Sequence, residues 1–166
     1  MPAEQSPVFE NTYYYQPVEL NLQGEVYFND QLVKTSQLFT FSMTWADEST
    51  KAAYEQGIIQ SNPSVKPENE ILQTLPNTDA GTFHFDTLTF NRPGNYFFKI
   101  TENDPYNLAG YGAKVDHSRQ YAVVQVTTPE NPAISSKLEA SVYYINAKNP
   151  GSYANSVFSH RHYYQR

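Results

Sequence analysis

The stretch LFTFSMTW, Leu38 to Trp45, places Phe39, Phe41, Met43 and Trp45 on one side of an extended chain and Thr40, Ser42 and Thr44 on the other. Successive side chains of a strand point to opposite faces, so this alternation reads as a strand with one face in a core and one near water. The same period recurs outward in both directions. It runs through Val18, Leu20 and Leu22 in PVELNLQ, Phe83 and Phe85 in TFHFD, Leu88 and Phe90 in LTF, and Leu138, Ala140, Val142 and Tyr144 in LEASVYY. Turn-forming residues punctuate the runs: Pro76-Asn77, Ala80-Gly81, Arg92-Pro93-Gly94, Pro129 to Pro132 and Asn149-Pro150-Gly151. Many short strands with such punctuation point to an all-β chain, an antiparallel Ig-like β-sandwich. One interruption is helical in character. ADESTKAAYEQG offers Asp47 or Ser49 as N-cap and Gly57 as a stop, and the polar, proline-bearing SNPSVKPEN follows as a loop, giving an insertion around 47–69.

Composition narrows the function classes. The chain has 166 residues, 39% hydrophobic and 17% charged, enough apolar material for one core under a mildly acidic surface of net charge −6. Eleven Lys and Arg against seventeen Asp and Glu, with no basic run, argue against a nucleic-acid partner, because that affinity depends on neutralising phosphates. No cysteine is present, which removes disulfides, thiolate chemistry and Cys-ligated zinc together. No apolar run reaches the roughly 18 residues of a membrane span and no signal peptide leads the chain, so membrane contact is not expected of it and any export signal is expected elsewhere. FENTYYYQ from Phe9 and FSHRHYYQ from Phe158 are alike and about one domain length apart. That spacing reads as a recurring unit, with 1–16 the tail of a preceding unit or a linker and 17–166 the domain.

A second strand carries the chemistry. In NYFFKITE, Tyr96, Phe98, Ile100 and Glu102 share one face. If the first three look into the core, Glu102 does too, and desolvation then favours its neutral form. At a strand's end the carboxylate can equally turn into solvent, and alternation leaves both open.

The passage NTDAGTFHFDTLTFNRPGNYFFKITEND, Asn77 to Asp104, resembles the isopeptide-linkage domain of Gram-positive pilins, a β-sandwich unit of pilus shafts. The resemblance is carried by Gly81 to Phe85, Leu88 to Phe90, Pro93-Gly94, and Tyr96 to Glu102. It extends to Asp116 and Tyr121 in KVDHSRQYAVVQV, to FTF at Phe39 and to FENTY at Phe9. It implies a Lys on the first strand that attacks an Asn side-chain amide on the last, with a buried Glu moving protons and ammonia leaving. Such a lysine must be deprotonated to act as a nucleophile, which an apolar setting favours.

This chain departs from that pattern. Glu102 matches the acid, but the lysine position falls around Leu22, Gln23 or Gly24, and no lysine precedes Lys34. His160 stands where the Asn is expected, while Asn11 lies in the intact motif at the other end. Asn155 as an offset acceptor would still lack its lysine. The usual bond is therefore not expected within this chain: either it is a degenerate unit with a vestigial crosslink site at Glu102, Gln23 and His160, or Asn11, at the unit junction, belongs to the preceding unit and would meet a lysine outside this sequence. The expectation is a structural module of a pilus shaft or adhesin stalk, extracellular on the cell wall or pilus, not an enzyme, and without a cofactor. Its partners would be neighbouring domains of the same parent chain or pilin subunits.

Other features read less sharply. His160 and His162 in HRH share a strand face and could chelate a metal, but no third ligand is positioned by the sequence, so surface histidines and no metal site are expected. LPNTD at Leu75 to Asp79 resembles a sortase signal with Asp79 in place of Gly, and reads as a turn before a strand. Fourteen tyrosines, several adjacent, set up the alternative function: a binding module recognising a host glycan or protein through exposed rings.

Overall fold

The computed structural model describes residues 15–63, 71–114, 116, 119–131, 136–146 and 151–162, without the side chains of Lys114 and His162. Fourteen strands and one α-helix follow in chain order. They are β1 (Val18–Leu20), β2 (Gln23–Phe28), β3 (Gln31–Leu32), β4 (Thr40–Trp45), α1 (Glu48–Glu55), β5 (Ile59–Ser61), β6 (Gln73–Pro76), β7 (Thr82–His84), β8 (Leu88–Phe90), β9 (Gly94–Asn103), β10 (Ala113–Lys114), β11 (Gln120–Thr127), β12 (Glu139–Asn146), β13 (Ser152–Tyr153) and β14 (Ser156–His162).

One sheet has six strands in the order β13-β12-β11-β9-β4-β6, all antiparallel. Facing it, β10, β14, β2 and β3 lie in sequence with β7 also paired to β2, and a small sheet β1-β8-β5 completes that side. The two layers meet through rings. Phe41 of β4 stacks on Phe83 of β7 with centroids 3.8 Å apart, and Phe158 of β14 lies 5.3 Å from Phe41. Leu22, Val26, Phe39, Phe98, Ile100, Val124 and Tyr144 fill the same core. Each large side chain so buried stabilises the fold by about 1.5–3 kcal/mol relative to exposure. The β-sandwich expected from alternation is thus present.

Among the described residues, one pairing between strands departs from the antiparallel expectation. β2 and β14, the strands that open and close the larger part of the fold, run parallel, in register from Ser156 beside Gly24 to His160 beside Phe28. They lie side by side because β14 enters its layer in the same direction as β2, after a chain that has crossed between layers several times.

The segment PVELNLQ is likewise not one strand. Val18 to Leu20 pairs with β8, then Asn21, whose Nδ2 donates to Phe85 O at 2.8 Å, marks the crossing to β2 in the neighbouring sheet. Gln16 is tied to the same body, its N–H donating to Ser136 O and its carbonyl accepting from Leu138 N–H. α1 forms where the caps allow. Asp47 Oδ1 accepts from Thr50 N–H at 2.9 Å, and Gly57 takes a left-handed φ of 80° just beyond the end. Of the loop expected after it, Ser61 belongs to β5 and residues 64–70 lie outside the described residues. No helix among the described residues is long and apolar enough to cross a membrane.

Candidate functional site

β9 belongs to the six-stranded sheet and β14 to the opposite layer, and their ends bring Glu102 and His160 face to face across the core. His160 Nε2 lies 2.5 Å from Glu102 Oε2, and both side chains are 0% exposed. The other ring nitrogen, Nδ1, accepts the backbone N–H of Asp116 at 3.1 Å. Asp116 is held in turn, its Oδ2 accepting the N–H of Ser159 at 2.9 Å. Phe39 stacks flat on the imidazole, 4.2 Å away and within 6° of parallel, with Phe28 on β2 next to the ring at 6.2 Å.

This geometry fixes where the protons are. A nitrogen that accepts an N–H carries no hydrogen of its own, so the imidazole is neutral, protonated at Nε2, and donates from there to Glu102 Oε2. Burial pushes the Glu102 carboxyl up to about 10, with the nearby Asp116 and Asp104 carboxylates adding to the effect. At neutral pH the acid is therefore uncharged. Glu102 Oε1 is buried without a hydrogen-bond partner among the described residues. The result is an uncharged acid and an uncharged base joined across two sheets, sealed by aromatic rings. With no exposure, the pair can act only on groups the fold itself delivers to it.

The structure brings together two of the sequence-derived residues, Glu102 and His160, and resolves the open question for Glu102, which faces inward. Gln23 is elsewhere. It pairs with His84, its N–H donates to the Tyr144 hydroxyl at 2.9 Å and its carbonyl accepts from Ser156 Oγ at 2.6 Å. The β2 residue level with His160 is Phe28, five positions and roughly 16 Å further along the strand. Gly24 could not serve either, since a Cβ there would fall 2.2 Å from both Phe83 Cζ and Ser156 Oγ. Asn11 lies outside the described residues, as does the side chain of His162.

The expectation of surface histidines is corrected for His160, which is 1% exposed because its strand face is the core face and Glu102 and Asp116 satisfy both ring nitrogens. No three His, Asp or Glu side chains converge on a metal position among the described residues. Asn77 of LPNTD is a structural turn residue. Its Oδ1 accepts from Phe39 N–H, and its Nδ2 donates to the carbonyls of Thr35 and Thr78. Tyr106, Tyr111 and Tyr153 are the large exposed rings among the described residues, whereas Tyr144 is buried. Asp116, Phe39 and Phe28 were not visible as site residues in the sequence, because Asp116 sits outside any strand and the two rings look like ordinary core.

A family model described as the Spy0128-like isopeptide containing domain, FctA, matches residues 21–158. The chain belongs to this family. The resemblance to the pilin isopeptide-linkage domain is borne out by that match. Similar solved structures include the major pilin from Streptococcus pyogenes and two substituted forms of it, at 16% identity and TM-scores of 0.42, 0.39 and 0.41. In each case 86% of this chain is covered, and it spans about half the length of the pilin, 50%. A search of curated proteins finds no match.

Proposed function

We propose that this domain is a structural module of a Gram-positive pilus shaft or adhesin stalk, displayed outside the cell, in which a sealed His160–Glu102 contact stands in for the Lys–Asn crosslink. On this reading the residues before Tyr15 are the tail of a preceding unit or a linker, Gln16 already pairs with this domain, Asn11 marks the junction, and the partners are neighbouring domains or subunits.

The observation that carries the proposal is the pairing of Phe28 with His160, whose imidazole meets Glu102. An acid is in place, but the first strand offers a phenyl ring where an amine would stand, and the last offers an imidazole in place of an amide. β2 itself, QGEVYF, contains no lysine. Parallel neighbouring strands pulled from the start of one and the end of the other are loaded in shear. All their hydrogen bonds then resist together, which suits a load-bearing role without a covalent tie.

Single-molecule stretching of the domain between flanking handles tests this. Without a crosslink, unfolding releases the whole length from Gln23 to His162, on the order of 480 Å at ~3.5 Å per residue. A domain that stays inextensible between those strands would contradict the proposal.

A further inference from the structure

Beside the sealed pair, on the outer side of Asp116, β11, β12, β13 and β14 enclose a cavity of about 250 Å³ whose walls include Asp116, Gln120, Asn146, Tyr153 and Asn155. Its chemistry differs from that of the core. Three carboxamides and a carboxylate present planar polar groups, and Tyr153, 42% exposed on the short strand β13, stands at the rim. The walls are held in place. Gln120 is 1% exposed and its Nε2 donates to Val157 O at 3.0 Å, while Asp116 is anchored through Ser159 N–H.

One atom lacks a partner. Asn155 Oδ1 is buried with no hydrogen bond among the described residues, a state that costs about 1–3 kcal/mol and that a rotation of the side chain toward a ligand hydroxyl in the cavity would relieve. The cavity lies below the ~300–1,000 Å³ of sites for drug-sized ligands, so it admits a single ring. Amides offer both donors and acceptors, which suits a ligand rich in hydroxyls, and a tyrosine face can pack against the C–H face of a sugar ring. The Asp116 carboxylate in the wall and the chain's net charge of −6 disfavour an anionic ligand.

We propose that this cavity is a binding site for one neutral pyranose unit, at the exposed end of a glycan. It does not rest on the load-bearing reading, although two of its walls, Asp116 and Ser159, adjoin His160.

The test is saturation-transfer NMR and titration calorimetry on the full chain with D-glucose, D-galactose, D-mannose and N-acetylglucosamine, and with N-acetylneuraminic acid as the anionic counterpart. At least one neutral sugar should bind, with a dissociation constant on the order of millimolar, as small ligands with few contacts do. Binding should weaken at least tenfold in Asn155→Ala and in Tyr153→Ala, and N-acetylneuraminic acid should not bind. Asn155→Ala removes an unsatisfied atom, so its melting temperature should not fall, and loss of binding then reports the site and not the fold. No binding of any neutral sugar at tens of millimolar, binding unchanged in both variants, or equal binding of the anionic sugar would overturn the proposal.

Discussion

Glu102 is a carboxyl that folding keeps protonated. Its folded value of about 10 stands well above the ordinary carboxylate range, because burial and two neighbouring carboxylates oppose its charge. The folded state therefore holds a proton that the unfolded chain gives up above pH ~4.5. This contribution to stability is fully present below the unfolded pKa and is lost as pH rises toward 10. The raised values of Tyr27, Tyr96 and Tyr144 act only at still higher pH. Urea unfolding of the wild type should accordingly show a stability that falls between pH 5 and pH 9, by no more than ~1.4 kcal/mol per pH unit for one proton. Glu102→Gln keeps an acceptor for His160 Nε2–H and carries no titrating proton, so its profile should be flatter and its stability at pH 8 at least equal to wild type. Parallel profiles for the two proteins would mean that Glu102 is ionised in the fold. That Glu102 faces inward was half legible in NYFFKITE, since the alternation pointed there. What the sequence could not show is the partner, because His160 is near it only through the packing of two layers.

At the scale of elements, β2 shows where reading from sequence failed. QGEVYF has little apolar alternation, and the clearer pattern of PVELNLQ drew the first strand several residues too early. The chain changes sheet at Asn21, and a change of sheet resets the register without any mark in the periodicity. The sequence pattern points to Leu22, Gln23 or Gly24 for the amine, whereas the β2 residue level with His160 is Phe28. By contrast, β4, β8, β9 and β12 were legible because each buries one face and exposes the other. α1 was legible from its cap at Asp47 and its stop at Gly57. The register makes a sharp prediction: Phe28→Lys with His160→Asn, leaving Glu102 in place, should restore the bond, and the folded double variant should lose ~17 Da as ammonia. An unchanged mass in a folded double variant would place the amine position elsewhere on β2. Packing of the same strand gives another. Gly24→Ala puts a methyl group where Phe83 and Ser156 already sit and should lower stability by about 1–3 kcal/mol in chemical denaturation, and a neutral outcome would show that the layers are looser there. Phe41→Ala, at the centre of the ring cluster, should cost more, about 3–5 kcal/mol.

For the whole molecule, the proposed load-bearing role turns on the arrangement of the strands. The strands that bracket most of the chain run parallel and adjacent, and among the described residues an imidazole, a carboxyl and the rings that enclose them join the layers at the His160 level. The sandwich and its family were readable from strand pattern and motif, and the absence of a first-strand lysine was readable directly. The direction in which β2 and β14 run was not, because sequence alternation carries no sense of direction between strands far apart in the chain. The central claim is that this clasp is noncovalent. Its most direct test is the intact mass of the 19.0 kDa chain under denaturing conditions. The account predicts the full sequence mass, and a mass lower by ~17 Da, one ammonia released in forming an amide crosslink, would contradict it.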